Sequence, residues 1–156
     1  MIEIKKTSFL SNDYVAVHKR KPLAKFNRSF WSQKAEMQCE DQSLTLSRKG
    51  ALKSAYYLSE GERILLEVTQ PSALNTKLTF HYDDCDYELV SKAWHSHSFL
   101  IKANDKEIGS IDDRGFLKTG AIVNLPDKFP TALQVFLGWL ALVRWDDDAN
   151  AAAAAG

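Results

Sequence analysis

Apolar and polar residues alternate along most of residues 1–123, and the alternation comes in short runs. Ser43–Leu46 reads SLTL and Lys77–Tyr82 reads KLTFHY. Side chains on a strand point to alternate faces, so such runs predict strands with one buried side. Similar runs, some carrying aromatics, are Tyr14–Val17, Phe30–Cys39, Leu52–Leu58, Arg63–Thr69, Tyr87–Trp94, Ser98–Ala103, Lys106–Ile111 and Phe116–Val123. Turn residues separate them at Ser59-Glu60-Gly61-Glu62, Asp83–Asp86, Asn104-Asp105 and Asp112–Gly115. Strand starts recur roughly every ten to twelve residues, which is the pattern of an antiparallel meander, sandwich or barrel. The pattern predicts about eleven strands.

The rhythm breaks after Asn124. Pro130 suits the first turn of a helix, where its missing N–H costs nothing. The segment Phe129–Trp145, FPTALQVFLGWLALVRW, then reads as a helix apolar on nearly every face. Only Thr131, Gln134, Gly138 and Ala141 form a narrow stripe of polar or small residues. A helix hydrophobic all round is buried, in protein or in lipid. At 1.5 Å per residue it spans roughly 25 Å, short of the ~20 residues that cross ~30 Å of hydrocarbon. Asp127-Lys128 before it and Asp146–Asp148 after it are also poor membrane flanks. A barrel of about eleven or twelve strands is wide enough to need filling, and this helix supplies the filling. The expected fold is therefore mainly β: a closed antiparallel β-barrel of about 11–12 strands around a central hydrophobic C-terminal helix. Residues 1–148 are expected to form one domain with the core helix at 130–145. Acidic groups are unfavourable at a helix C-terminus, so Asp146–Asp148 are expected to mark where the chain has left the barrel. Residues 149–156 form an alanine-rich tail.

The order of elements resembles the tubby-like superfamily, which joins the tubby C-terminal domain, the phospholipid scramblases and the LURP-one-related proteins. The residues carrying the likeness are Lys106-Glu107-Ile108-Gly109-Ser110-Ile111-Asp112, the strand Phe116–Val123, Leu125-Pro126 and the helix Thr131–Trp145. The resemblance implies a barrel of about twelve strands threaded by the helix. It is closest in pattern to a minimal LURP-one-like member. No EF-hand-like loop and no Cys-rich N-terminal region accompany it.

Charge changes the picture only locally. Lysine plus arginine and aspartate plus glutamate are 20 each, and the net charge is zero. Residues 1–35, however, hold eight basic residues against Glu3 and Asp13, a net of +6, leaving −6 on the remainder, which makes either a basic patch or internal neutralisation once the ends fold together. The candidate binding residues are Lys19, Arg20, Lys21, Lys25 and Arg28, beside Phe26, Phe30 and Trp31. Tubby domains bind phosphoinositide headgroups through basic side chains, and clustered cations hold anionic lipid at about 1 kcal/mol per charge. The expected function is thus a non-enzymatic binding module whose ligand is an anionic lipid headgroup or a protein partner. The alternative is a membrane-associated, scramblase-like protein whose C-terminal helix inserts in lipid. Nucleic acid is not expected, because no RNA-binding aromatic pattern accompanies the cations.

No G-x-S-x-G, P-loop, H-E-x-x-H or C-x-x-C motif occurs. No catalytic residue, cofactor or metal is therefore expected. His81, Cys85, His95 and His97 lie close in sequence, but a closed zinc site needs about four ligands on one ion, and nothing in the pattern aligns them. The acidic turn Asp83, Asp84, Asp86 reads as solvated. Two cysteines, Cys39 and Cys85, are too few for a disulfide framework. The start MIEIKKTSFL has no apolar run of signal-peptide length, which predicts a cytoplasmic protein, peripheral to a membrane if lipid is its ligand. The pattern gives no oligomeric state.

Overall fold

The computed structural model describes residues 1–28, 33–50, 54–74, 76–93, 96–115 and 118–155, with side chains described to residue 151. Twelve strands close into one antiparallel barrel, in which chain neighbours pair and β1 meets β12. They are β1 (Ile2–Lys6), β2 (Asp13–His18), β3 (Lys21–Arg28), β4 (Lys34–Cys39), β5 (Gln42–Lys49), β6 (Ala55–Glu60), β7 (Arg63–Thr69), β8 (Leu78–Tyr82), β9 (Cys85–Ser91), β10 (Ser98–Ala103), β11 (Lys106–Asp113) and β12 (Gly120–Asn124). One helix follows, α1 (Thr131–Ala155). Closure leaves no sheet edge at the β1–β12 join, where Ile2 pairs with Val123 and Ile4 with Ala121.

The alternation works as expected where it is regular. Leu44 and Leu46 of β5 and Leu78 and Phe80 of β8 point inward and are buried. Lys25, Glu36, Gln38 and Glu67 point outward and are exposed. Two strands escape the pattern. β1 and β3 are rich in lysine, and β3 contains Pro22 and a bulge opposite Ala16 and Val17. The bulge breaks the period of two that the sequence reading depends on. Their inward residues, Ile2, Ile4, Ala24 and Phe26, are nonetheless core. The expected strand starts at Phe30, Leu52 and Phe116 lie outside the described residues.

The interior is filled by α1. Every residue from Leu133 to Leu142 is buried, whichever way it points. Contacts come from around the wall: Tyr56 of β6 meets Trp139 edge-on at 6.3 Å and Phe99 of β10 stacks with Trp145 at 6.1 Å, while Tyr87 of β9 meets Phe129, just before the helix, at 5.2 Å. The small stripe has a steric cause. β12 and β1 run closest to the helix, and a methyl on Gly138 would press into the Ile4 Cδ1 atom and sit 2.9 Å from Val123 Cγ2. Gln134, the one polar residue deep in the helix, donates from Nε2 to the Phe129 carbonyl at 2.8 Å. That satisfies a buried amide at the cost of no outside partner. Asn104-Asp105 makes the β10–β11 turn, as expected, and Gly109 lies within β11. A Cβ there would run into the Asn124 carbonyl and sit 2.8 Å from Leu125 Cδ2.

The helix does not stop at the aspartates. It continues to Ala155, so Asp146 lies well inside it and away from the unfavourable last turn. Two inward-directed arginines meet it there. Arg28 pairs with Asp146 and donates to the Leu142 carbonyl, and Arg48 pairs with Asp147 at 2.5 Å. Arg144 donates to Gln70 Oε1 at 3.2 Å. These contacts fasten the helix where it leaves the barrel.

Candidate functional site

The two ends of the barrel differ. At the end where α1 enters, strands are joined by two-residue turns, and we call this the turn end. Lys19 and Arg20, Asp83 and Asp84, and Asn104 and Asp105 all have positive φ. Positive φ at both central residues is the type I′ turn that suits strand twist, normally made by Asn-Gly. At the other end, the loop end, connections are longer and α1 leaves.

The sequence candidates divide between these ends. Lys19 and Arg20 are the β2–β3 turn, and Lys21 opens β3 beside it, all exposed. Lys25 stands on the outer face of β3, about 13 Å along the strand from Lys21. Arg28 is at the far end, seven residues and about 23 Å from Lys21, and is turned in to Asp146. It is a structural cation. Its charge also offsets the effect of burial on Tyr14: desolvation pushes that phenol's pKa up, and Arg28 beside it draws it part of the way back. Phe26 is 2% exposed and stacks on Tyr14 at 5.1 Å, so it is core. Phe30 and Trp31 lie outside the described residues.

In place of Arg28 the register supplies Lys5. Lys5 of β1 pairs with Val15 of β2, and Val15 with Lys25 of β3, so two lysines flank a valine on one outer row. Adjacent strands are about 4.8 Å apart, which puts their backbones about 10 Å apart. Among the described residues, Lys5, Lys19, Arg20, Lys21 and Lys25 make no ion pair, whereas Glu3 on the same face is bound to Arg114 at 2.8 Å. The acidic turn Glu40-Asp41, between β4 and β5, stands on the same rim. Sequence reading missed Lys5 because only strand register brings it beside Lys25.

The histidines separate. His81 holds Asp86 at 2.7 Å near the β8–β9 turn. His97 lies at the loop end, 3.4 Å from Asp113 and stacked on Trp145 at 5.6 Å. The length of β9 stands between them, and His95 lies outside the described residues. Among the described residues no three His, Cys, Asp or Glu side chains converge as a metal site would need. Cys39 is buried, with its thiol pKa pushed up first by desolvation and then by Glu40, and Cys85 is a free thiol by the β8–β9 turn. At the turn end Lys128 donates to the Tyr87 hydroxyl at 3.0 Å.

A second feature has no sequence signal. β7 and β8 pair only at Val68–Phe80 and Thr69–Thr79, then part toward the turn end. The gap is a cleft of about 600 Å³ in the barrel wall. Leu66, Phe80 and Tyr87 form its floor, and the two rings stack at 5.0 Å. Glu67, Asp86 and Glu88 stand along its sides, and Ile64 and Leu65 at its lip are 57% and 38% exposed.

No protein-family model matches the chain, and neither a curated protein nor a solved structure was found to be similar to it. The fold stands on its own observations: a closed barrel of twelve antiparallel strands with one C-terminal helix packed against it. No helix of the described residues is long and apolar enough to cross a membrane.

Proposed function

We propose that this chain is a non-enzymatic module of the tubby-like kind that binds anionic lipid headgroups at a membrane surface. The order of elements supports the kinship: twelve antiparallel strands closed around a hydrophobic C-terminal helix. The observation that carries the ligand is the set of five cations, Lys5, Lys19, Arg20, Lys21 and Lys25, on the outer face and turn of β1–β3, which make no ion pair among the described residues. At about 1 kcal/mol per charge near an anionic surface, they supply a few kcal/mol. Val15 and Val17 between them give the face a partly apolar middle. The helix-insertion reading is weaker, because the apolar residues of α1 are already buried by the strands.

The turn itself offers a clean test. Lys19 and Arg20 sit in left-handed backbone that costs an ordinary residue about 1–2 kcal/mol. The double substitution Lys19→Asn, Arg20→Gly installs the preferred type I′ pair. It is expected to raise the unfolding midpoint while lowering affinity for vesicles containing phosphatidylserine. Binding of the native protein should weaken with salt, since exposed charges are screened over about 10 Å at 0.1 M. Phe9→Ser with Leu10→Ser, at the loop end, should leave binding unchanged. Equal partitioning of the native protein onto neutral and anionic vesicles would rule the proposal out. So would retained binding in the turn variant with loss in the Phe9, Leu10 variant, because that places the membrane at the opposite end.

A further inference from the structure

We infer that the cleft between β7 and β8 is a binding site for a short, extended, cationic segment of another polypeptide, added as a strand along β7. Antiparallel neighbours elsewhere in the barrel pair over four to six residues, but β7 and β8 pair over two. From Arg63 to Glu67, β7 is paired with β6 on one side only. Among the described residues, no ladder partner meets the backbone N–H and C=O groups on the other side, which face the cleft. An edge of this kind recruits an extended peptide by main-chain hydrogen bonds. Five residues of strand span about 16 Å, enough to pair with four or five residues of an incoming chain.

The side chains define its chemistry. Ile64 and Leu65 at the lip are two of the few large apolar residues exposed among the described residues. The floor is aromatic, so an apolar side chain of the segment has somewhere to go. The flanking charge is acidic: Glu67, Asp86 and Glu88 line the cleft, and among the described residues the lining holds no lysine or arginine and His81 as its one basic group. His81 engages Asp86, and Lys77 reaches Glu88 at 3.4 Å from outside the lining. The adjoining turns add Glu62, Asp83 and Asp84, while Arg63 is held by Glu60 at 3.2 Å. An incoming strand meets this field favourably when arginine or lysine alternates with an aliphatic residue. Complementary charge of this sort sets orientation and partner choice.

The probe is a fluorescent seven-residue peptide alternating arginine and valine, titrated against the full chain and followed by polarisation. Saturable binding is expected, with the amides of Leu65–Glu67 gaining protection from hydrogen exchange. Glu67→Lys with Glu88→Lys should weaken binding about tenfold or more. The same peptide with alternate backbone nitrogens methylated keeps its charge but cannot complete the ladder, and it should not bind. Equal affinity of the methylated peptide would overturn the inference, since the cleft would then be taking cationic side chains as a small-molecule site does. Absence of saturable binding by the unmethylated peptide would also overturn it. So would concentration-dependent self-association in sedimentation that the Glu67, Glu88 variant abolishes, because the occupant would then be a second copy of this chain.

Discussion

Replacing Gly138 by alanine sets two known effects against each other at one atom. Alanine in a helix interior is favoured over glycine by about 1 kcal/mol. Against that, the new methyl enters the space of Ile4 Cδ1 and comes within 2.9 Å of Val123 Cγ2, with Ile4 Cγ1 next at 3.6 Å. Ile4 and Val123 are fully buried, so neither side chain has solvent to retreat into. Overpacking of this size costs about 1–3 kcal/mol. The net is a destabilisation of about 0–2 kcal/mol, and Gly138→Leu should exceed it. The decisive measurement is a double-mutant cycle. Ile4→Val alone removes the colliding Cδ1 atom and should cost about 0.5–1.5 kcal/mol as a cavity. In the Gly138→Ala background the same deletion relieves the clash, and the new methyl fills part of the vacated space. The double variant should therefore lie at least ~1 kcal/mol above the sum of the singles, well outside the 0.3–0.5 kcal/mol within which independent sites add. Urea unfolding at equilibrium reads all four proteins. Additivity would mean that β1 does not pass against Gly138, and the helix would have to sit elsewhere in the barrel.

Trp139→Ala should cost about 3–5 kcal/mol, as for other buried aromatics, because Trp139 is 1% exposed and touches Tyr56 and Phe136; chemical denaturation measures it, and a loss under ~1 kcal/mol would be inconsistent with an enclosed helix. Arg28→Met should destabilise more than Asp146→Asn, since it strands Asp146 and removes the bond to Leu142, while exposure of Asp146 limits the pair to about 1 kcal/mol. Cys39 and Tyr14 have folded pKa values raised above ordinary values of 9.0 and 10.0. Each favours folding fully below its ordinary value, and the contribution is lost as pH rises toward the folded value. Stability should thus fall above about pH 9, and Cys39→Ala should flatten the first part of that fall in thermal melts.

How much was legible in the sequence follows from what each element depends on. β7 (Arg63–Thr69) and β10 (Ser98–Ala103) were readable to the residue because each is a run of strand-forming residues bounded by turn residues. The helix was readable because fifteen residues without a polar face admit few environments. β1 and β3 were not, since lysines at their outer positions and a bulge near Pro22 hide the period of two. The far reach of α1 was hidden by a sound rule applied to the wrong terminus: carboxylates do disfavour a helix end, but this helix ends at Ala155, and Arg28 and Arg48 compensate Asp146 and Asp147. Both arginines stand more than ninety residues away in the chain, so no local pattern announces them.

The same distinction holds for the surface. The turn Lys19-Arg20-Lys21 is contiguous and was visible, while Arg28 belongs to the helix clamp and Lys5 takes its place through register. The β7–β8 cleft is a property of pairing alone, made by strands that meet at two positions and then diverge. A twelve-membered ring fixes where these surfaces stand: β2 and β3 are separated from β7 and β8 by three strands on one side and five on the other. Binding along β7 therefore leaves the cationic face of β1–β3 uncovered, and a membrane against that face leaves the cleft open. Among the described residues their charges are opposite as well, five cations without ion pairs on one side and three carboxylates on the other. The whole chain has zero net charge, so the two patches are local features of a neutral molecule. Under the proposed function, an anionic surface meets the basic face and the acidic cleft is turned away from it.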